Sequence, residues 1–414
     1  MKSLQLLDNV EEWVEGIPDG WVRVQLKHVA TKLDRPVEPK HEIVICTNKG
    51  SVIPRGDNNP GLVSLSGAGY QGVKPGDLLI HGMDTWHGAI AVSQIEGQCT
   101  SVVHVCDSSQ EKRFLAYYLR ALAFRAVYKA FSNGVRQNTS DFRSWAKAGE
   151  IPVILSSLDE QRRIAGFLDE KCAEIDRAVS AAERSIEEYK AYKNSVVFQA
   201  VTRGLDSDVP MTDSGLDWIG RTPKHWDVLE QKWLMRKEKS ICENWQGESV
   251  LSLTTGGVIV RDVESGKGKF PATFDGYQYI DAGNLVLCLF DIDVTPRCVG
   301  LAKHAGVISP AYSQFVMLPG AEARFYDYYF RAMDDRKLYL GLTSTMRHSF
   351  TADAFGLIHA LRPPVDEQLR IANYLDTKTA EIDRLVSSKQ AIIADLKAYK
   401  QSLIYEAVTG KREV

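Results

Sequence analysis

The sequence predicts a duplicated, mixed α/β (α+β) protein, whose two globular segments are joined by two long antiparallel coiled-coil helices with an approximate two-fold relation. Three observations predict this fold class: a repeat that covers the chain, two long proline-free helical stretches, and strand-like runs followed by a helix in each half. The repeat is clearest where LDEQRRIAGFLDEKCAEIDR at 158–177 returns as VDEQLRIANYLDTKTAEIDR at 365–384, 207 positions later. A repeat longer than a solenoid unit indicates two similar domains.

The duplication extends along the whole chain. GSVIPR at 50–55 aligns with GGVIVR at 256–261, and RFLAYYLRA at 113–121 aligns with RFYDYYFRA at 324–332. An aromatic and proline pattern also opens each half, formed by Trp13, Pro18 and Trp21 and again by Trp218, Pro223 and Trp226. We therefore divide the chain into a globular domain at 1–157, a helical spacer at 158–204, a second globular domain at 205–364 and a second helical spacer at 365–414.

Each globular domain combines strands with one medium-length helix. Five apolar or alternating runs are typical of strands, at 41–47, 77–82, 101–106, 284–290 and 313–318. A helix is predicted at 112–131 in the first copy and at 323–340 in the second. The remaining stretches are long polar loops, and recognition residues concentrate on loops held by a rigid scaffold.

The two helical spacers carry a coiled-coil pattern. Both 159–202 and 366–409 lack proline, and apolar residues recur at alternating steps of three and four. In the first copy these positions are Cys172, Ile175, Val179, Ala182, Ile186, Tyr189, Lys193, Val196 and Ala200. In the second they are Thr379, Ile382, Val386, Lys389, Ile393, Leu396, Lys400, Leu403 and Ala407. A lysine, Lys193 or Lys400, interrupts the apolar stripe at equivalent points of the two copies. One helix alone would be expected to pack on its own domain. Because both copies keep the same register, we expect the helices to pack on each other.

Composition excludes several classes of protein. The chain has 414 residues, a net charge of −3 and seven cysteines without a CxxC pair. This composition predicts a cytoplasmic protein with no disulfide or zinc framework. No apolar stretch long enough to span a membrane is present, and the first residues do not resemble a signal peptide. The phosphate-loop, zinc-protease, nucleophile-elbow and dinucleotide motifs are missing, so we predict a chain without catalytic or metal-binding residues.

Polar and aromatic side chains in the loops are candidates for nucleic-acid contacts. Arginine, asparagine and glutamine can pair with base edges, whereas lysine more often holds phosphates. Most single loop residues of this kind are merely solvated, but Arg55 with Arg261, and Arg136 with Arg347, occupy equivalent positions in the two copies. The candidates are Lys49, Arg55, Trp86, His87, Arg136, Gln137 and Asn138 in the first copy, and Arg261, Lys267, Lys269, Arg297, Thr345, Arg347 and His348 in the second.

These motifs together resemble the DNA specificity subunit of type I restriction-modification systems. The resemblance runs from end to end and rests on PxxW near the start of each half (IPDGW at 17–21 and TPKHW at 222–226), DEQxRIAxxLDxKxAEIDR at the start of each long helix, and KxYKxSxxxxAVT followed by a glycine at its end. The matching residues are Pro18, Trp21, Glu160, Gln161, Ile164, Leu168, Ile175 and Asp176, and again Pro223, Trp226, Glu367, Gln368, Ile371, Leu375, Ile382 and Asp383.

The resemblance implies two target recognition domains, each contacting one part of a split, asymmetric sequence in double-stranded DNA. It also implies that the helices fix the gap between the parts and dock two methyltransferase (modification) subunits and the restriction (translocase/endonuclease) subunits. The residues that it assigns to docking and spacing are Glu160, Gln161, Ile164, Ile175, Ile186, Glu367, Gln368, Ile371, Ile382 and Ile393. This chain would bind no cofactor itself, since S-adenosylmethionine and ATP are used by the partner subunits.

Two other functions fit the same sequence. The chain could serve a methylation-only system that has no restriction subunit, or it could be a coiled-coil scaffold that binds proteins rather than DNA. The composition of the complex distinguishes the first alternative, and DNA affinity distinguishes the second.

Overall fold

A computed structural model of the chain describes residue 14 and residues 16–38, 40–56, 69–128, 142–263, 271–294, 298–343 and 348–414. The chain divides into two compact units. Unit 1 comprises Met1–Glu183 and Ala391–Val414, and unit 2 comprises Arg184–Gln390. Both divisions fall inside a long helix, so each unit contains one globular domain together with one end of each long helix.

Unit 1 is built on antiparallel strands. A four-stranded sheet has the order β2-β9-β6-β7, and three two-stranded sheets pair β1 with β10, β3 with β4, and β5 with β8. The strands are β1 Val22–Gln25, β2 Ala30–Lys32, β3 Val44–Cys46, β4 Val52–Pro54, β5 Tyr70–Val73, β6 Leu78–His81, β7 Ile90–Val92, β8 Gly97–Thr100, β9 Val103–Ser108 and β10 Pro152–Leu155.

Unit 2 repeats this plan. Its four-stranded sheet β14-β21-β18-β19 matches that of unit 1, β13 pairs with β22 as β1 does with β10, and a second four-stranded sheet has the order β16-β15-β20-β17. The strands are β11 Met211–Asp213, β12 Arg221–Pro223, β13 Asp227–Glu230, β14 Met235–Glu238, β15 Val250–Thr254, β16 Gly257–Val260, β17 Gln278–Ile280, β18 Leu285–Leu287, β19 Val299–Leu301, β20 Gly306–Ile308, β21 Ser313–Met317 and β22 His359–Arg362. The predicted duplication and its mixed α+β fold class are confirmed.

The helices follow the same repeat. They are α1 Lys112–Phe124, α2 Trp145–Ala148, α3 Leu158–Arg203, α4 Ala323–Asp335, α5 Ala352–Gly356 and α6 Val365–Val408. The helix predicted at 323–340 was too long at its C-terminal end, whereas the helix predicted at 112–131 is interrupted after Phe124, is helical again at Val127 and Tyr128, and has its last three residues outside the described part of the chain. Ala126 and Lys337, each two residues past its helix, have left-handed φ angles of 56° and 53°. A left-handed residue at this position ends a helix, and sequence periodicity does not reveal it.

The medium helices anchor the cores. In unit 2, Phe325, Tyr326, Tyr329 and Phe330 of α4 are completely buried and pack on one another at centroid distances of 5.1–6.3 Å. The end of α3 and the start of α6 belong to the same core. In unit 1, Phe114 and Tyr118 of α1 are buried in the same way. In the described part of the chain, no helix is both long and apolar enough to span a membrane.

The two long helices run antiparallel within each unit. In unit 1, Asp176 of α3 pairs with Lys400 of α6, and in unit 2, Lys193 of α3 pairs with Asp383 of α6. The residue numbers of the two pairs add up to the same total, so both pairs have the same antiparallel register. The predicted apolar positions are buried or half-buried along both helices, which confirms the coiled-coil pattern.

The tryptophan motif of each half packs on the end of a long helix. A Cβ added at Gly204, which follows α3, would lie 3.3 Å from Trp226 of unit 2. A Cβ added at Gly410, which follows α6, would lie 3.2 Å from Trp21 of unit 1. Both glycines also have left-handed φ angles of 75° and 71°. The glycine that follows each AVT segment, in AVTRG at 200–204 and AVTG at 407–410, therefore packs against the tryptophan of a PxxW motif.

Candidate nucleic-acid interface

One β-hairpin in each unit carries predicted nucleic-acid residues. In unit 1 the turn between β3 and β4 is fastened by Thr47, whose Oγ1 donates to the carbonyl of Ser51 at 3.1 Å, and Lys49 is exposed at its tip. In unit 2 the β15–β16 turn is fastened in the same way, because Thr254 Oγ1 donates to the carbonyl of Gly257 at 2.9 Å. The aligned GSVIPR and GGVIVR segments are thus the same hairpin in the two units.

The two aligned arginines follow the hairpins at equivalent places. The backbone N–H of Arg55 donates to the carbonyl of Ile43 at 2.8 Å, and that of Arg261 donates to the carbonyl of Val250 at 2.8 Å. Both side chains are half-buried. The arginine is therefore held at the base of each hairpin, while the tip projects beyond it.

A short 3-10 helix, Thr85–His87, lies beside the hairpin of unit 1. A Cβ added at Gly88 would lie 3.7 Å from the carbonyl oxygen of Asn48, so the helix and the hairpin tip are neighbours. Trp86 is half-buried and His87 is exposed. Lys49, Trp86 and His87, which are far apart in sequence, are thereby brought to one surface.

The two histidines near this surface, His81 and His87, lie in different electrostatic environments. Burial lowers the pKa of His81 below its ordinary value, and its Nδ1 accepts from the backbone N–H of Asp84 at 3.0 Å. His81 is therefore neutral near pH 7 and positions the turn. His87 lies 3.9 Å from the Asp84 carboxylate and faces solvent. Of these two, His87 is the one placed to contact a ligand.

In unit 2 two loops meet at His348. Its Nδ1 lies 2.9 Å from Thr343 Oγ1, and its carbonyl accepts from the backbone N–H of Ile292 at 3.2 Å. The backbone N–H of Asp291 donates to Ser349 Oγ at 3.1 Å. His348 is half-buried and has a left-handed φ of 44°, so it fixes the loop after β18 against the segment before α5.

Several predicted residues lie outside the described residues, namely Arg136, Gln137, Asn138, Lys267, Lys269, Arg297, Thr345 and Arg347. The described residues that follow two of these segments are held by equivalent backbone hydrogen bonds. The backbone N–H of Phe142 donates to the carbonyl of Gly82 at 3.0 Å, and that of Phe350 donates to the carbonyl of Leu289 at 2.7 Å. Phe142 and Phe350 therefore both lie beside the loop that follows a central strand, β6 in unit 1 and β18 in unit 2.

Most of the residues predicted for docking and spacing are buried or hydrogen-bonded within their own unit. Gln161 is completely buried, and its Nε2 donates to the carbonyl of Ser156 at 2.8 Å while its Oε1 accepts from the backbone N–H of Glu111 at 3.2 Å. Gln368 makes the equivalent bonds to Pro363 and Glu322. The isoleucines in this set are buried, namely Ile164, Ile175, Ile186, Ile371, Ile382 and Ile393.

The two glutamates of that set differ between the units. Glu367 accepts from Trp226 Nε1 at 2.7 Å and lies 2.6 Å from His225 Nε2, so it fastens the start of α6 to the tryptophan motif. Glu160 is half-buried and its backbone N–H donates to Ser157 Oγ at 3.3 Å. The motif glutamine in both units, and the motif glutamate in unit 2, therefore hold the start of a long helix in place. Docking of other subunits remains a prediction for the exposed faces of these helices.

The role of the seam lysines could not be predicted from the sequence. Lys193 Nζ lies 2.7 Å from both carboxylate oxygens of Asp383, and Lys400 Nζ lies 2.7 Å from both oxygens of Asp176. These aspartates belong to the two EIDR segments. The signal was a lysine interrupting the apolar stripe at the same place in both copies, although its partner could not be identified without the antiparallel register.

One group of residues could hold a cation. Glu38, His41 and Glu96 place ligand atoms within 4.8 Å of one another, and His41 Nε2 lies 3.3 Å and 3.7 Å from the two carboxylates. Lys40 also pairs with Glu38, at 3.2 Å. The arrangement is that of an ion-pair cluster.

Sequence comparison and structure comparison give different results. No protein-family model matches the chain, and no curated protein matches it. Among solved structures, a chain from a structure described as showing complex assembly and conformational transition of the type I R-M system has a TM-score of 0.69. It is 15% identical and the match covers 95% of this chain and 98% of that chain.

The crystal structure of the HsdS subunit from Thermoanaerobacter tengcongensis is also similar. Its TM-score is 0.52 at 15% identity, with 96% of this chain and 98% of that chain covered. At this identity the likeness establishes the fold. The chain therefore has the duplicated fold of the HsdS subunit, as the resemblance of its motifs predicted.

Proposed function

We propose that the chain is the non-catalytic DNA specificity subunit of a type I restriction-modification complex, and that it recognises a bipartite, asymmetric target in double-stranded DNA. The observation that carries the proposal is the repetition, in two units of the same sheet order, of a hairpin with an arginine at its base. Two equivalent surfaces with different loops suit a target with two different parts.

The helix pair supports a spacing function. Two ion pairs with the same register, one in each unit, oppose sliding of one helix along the other. A rod that cannot slide would hold two DNA-contacting domains at a set separation. We infer that the number of helical turns in the rod sets the number of unread base pairs between the two parts of the target.

The exposed faces of the long helices are the surfaces that we propose for docking of other subunits. Tyr192 and Tyr399 stand at equivalent positions and are each about half exposed. Charged residues such as Arg162 and Arg177 are exposed on the same helices. Large exposed aromatic residues among charges are typical of protein interfaces. We propose that two methyltransferase subunits and the restriction subunits bind here, and that these partners use the S-adenosylmethionine and ATP.

Methylome sequencing tests the proposal directly. A host that expresses the chain with its methyltransferase subunit should show one bipartite adenine motif, and deletion of the chain should abolish it. Lys49→Ala, at the exposed hairpin tip, should weaken DNA binding and reduce the slope of log affinity against log salt by about one unit if Lys49 holds a phosphate. Lys190→Ala, on the exposed face of α3, is the matched control and should leave the salt slope unchanged.

A paired deletion tests the spacing function. Removing 180–186 from α3 together with 387–393 from α6 keeps both heptad seams and both ion pairs, and shortens the rod by about 10 Å, or about three base pairs of DNA. The methylated motif should keep both half-sites with a gap shortened by that amount. Removing only 180–186 is the control, because the two ion pairs can then no longer form in one register. An unchanged gap after the paired deletion would contradict the spacing function.

The same experiments distinguish the alternatives. Co-purification of a methyltransferase subunit without any restriction subunit would indicate a methylation-only system. If no variant of the hairpins changes DNA affinity or salt slope, and no motif depends on the chain, then the chain is a protein-binding scaffold.

A further inference from the structure

Among the described residues of unit 1, Arg120 is a buried arginine that forms no ion pair. Arg120 of α1 is 7% exposed, and its Nη2 donates to the backbone carbonyl of Lys49 at 3.0 Å. Its guanidinium also lies 5.5 Å from the ring centroid of Phe124, and its Nε is buried with no hydrogen-bond partner. Among the residues that the structure describes, no carboxylate pairs with it. A buried cation of this kind is costly unless an anion accompanies it.

Unit 2 contains the matched arginine together with its anion. Helices α1 and α4 each have 13 residues, and in their aligned segments Arg120 corresponds to Arg331. Arg331 Nε donates to Asp327 Oδ1 at 3.0 Å, one helical turn earlier. Ala116 occupies the position of Asp327 in unit 1. The two copies therefore differ by one carboxylate at this place.

The surrounding network is otherwise the same in the two units. In unit 1, Arg113 Nη1 and Tyr117 OH donate to Asp169 at 2.7 and 2.8 Å. In unit 2, Arg324 and Tyr328 donate to Asp376 in the same way, both at 2.8 Å. Asp169 is thus already satisfied by its own partners. Asp176, whose charge also acts on Arg120, is itself paired with Lys400, so Arg120 has no ion-pair partner of its own among the described residues.

A cavity lies where the missing carboxylate would be. It has a volume of about 300 Å³, and Arg120, Ala116, Gly50 and Gln94 are among the residues that line it. Burial lowers the pKa of Arg120, although not enough to neutralise a guanidinium at pH 7. The pocket therefore combines space, a fixed positive charge and, among the described residues, one buried donor without a partner, Arg120 Nε.

We propose that the pocket beside Ala116 and Arg120 in unit 1 binds a carboxylate, which occupies the place that Asp327 fills in unit 2. A carboxylate matches the planar donor pair of a guanidinium. A phosphodiester of duplex DNA fits less well, because Arg120 lies deep in the unit and the acidic Asp169 forms part of the wall. The carboxylate comes either from a free small molecule or from an acidic side chain of a bound protein.

The chemistry is tested on the purified full chain with acetate as the probe. Acetate should raise the unfolding midpoint in a saturable manner, by about 2–4 °C at concentrations several times its Kd and at constant chloride. Ala116→Asp supplies the anion from within the helix, so it should raise the midpoint without acetate and abolish the response to acetate. Arg120→Gln should also abolish the response.

Matched variants separate charge from shape. Ala116→Asn has the shape of the aspartate without its charge and should keep the response to acetate. Asp327→Ala should create a second, equivalent site in unit 2 and enlarge the response, whereas Asp327→Asn controls for loss of the charge alone. Equal responses in wild type, Ala116→Asp and Arg120→Gln would overturn the proposal. A saturable response to inorganic phosphate but not to acetate would overturn the assignment of a carboxylate.

A second measurement distinguishes the two sources, and it rests on the proposed function. If a partner side chain supplies the carboxylate, Ala116→Asp should weaken binding of the methyltransferase subunit by at least about tenfold relative to Ala116→Asn. Equal affinities would assign the site to a free small carboxylate. Failure of wild type to bind any methyltransferase subunit would contradict the proposed function but not the acetate result.

Discussion

The ion pair between Asp176 and Lys400 predicts an asymmetric response to mutation. Lys400 lies in the helix seam and its side chain is 16% exposed, whereas that of Asp176 is 63% exposed. Asp176→Asn leaves the ammonium group in the seam without its anion. Lys400→Met removes the charge, keeps most of the packing volume and returns Asp176 to water. The aspartate variant should therefore be the more damaging of the two.

The magnitude follows from these exposures. Exposed ion pairs contribute about 0–1 kcal/mol, and a polar group left buried without a partner costs about 1–3 kcal/mol. We expect Asp176→Asn to cost about 1–2 kcal/mol, and Lys400→Met to cost less than about 0.5 kcal/mol or to stabilise, since an apolar residue can replace a buried charge without loss. The coupling energy in a double-mutant cycle should be close to about 1 kcal/mol.

Hydrogen exchange measured by mass spectrometry reports the opening free energy of the helix peptides in unit 1. The control is Glu183→Gln, because Glu183 pairs with Lys397 in the same unit at 3.3 Å but both side chains are more than half exposed. Its cost should stay below about 0.5 kcal/mol. Equal costs for the two primary variants, or a coupling energy near zero, would refute the idea that the seam lysine depends on its aspartate.

Three further predictions concern other parts of the chain. Gln161→Met should destabilise unit 1 by about 2–3 kcal/mol in urea unfolding, because it leaves buried backbone groups without partners, whereas Gln161→Glu should be at least as harmful. Hydrogen bonds from Ser402 and then Arg412 lower the pKa of Glu406, so its contribution to stability is present above the ordinary glutamate pKa and is lost as the pH falls through the lowered value. The difference in unfolding midpoint between wild type and Glu406→Gln should accordingly vanish in acid, and a constant difference from pH 7 to about pH 3 would contradict this assignment. All seven cysteines are buried thiols that form no disulfide, and burial raises the pKa of three of them, Cys46 included, to about 12, so a thiol reagent should modify them only after denaturation.

Much of the fold could be predicted because it depends on local patterns. The long helices α3 and α6 were predicted to within one residue at each end, since their periodicity is unbroken over more than 40 residues. The central strands were predicted from short apolar or alternating runs, which are also local patterns. The ends of α1 and α4 were missed because a left-handed residue, rather than a change in hydrophobicity, ends each helix.

The candidate interface was predicted only as a set of residue types. Lys49, Trp86 and His87 could be named from their chemistry, but their proximity depends on contacts between segments nearly 40 residues apart. Gln161 and Gln368 were assigned to docking because they recur in a motif. Their complete burial gives that recurrence a structural cause.

The sequence by itself determined that the chain is duplicated, that each copy ends in a long helix, and that charged residues interrupt both helices at equivalent places. Those properties depend on residue order and on the period of a helix. Only the tertiary structure decided which charges meet, because the antiparallel register alone brings Lys400 to Asp176 and Lys193 to Asp383. It also decided that, among the described residues, no carboxylate pairs with Arg120 as Asp327 pairs with Arg331, since a partner of a buried charge can be recognised only from positions in space.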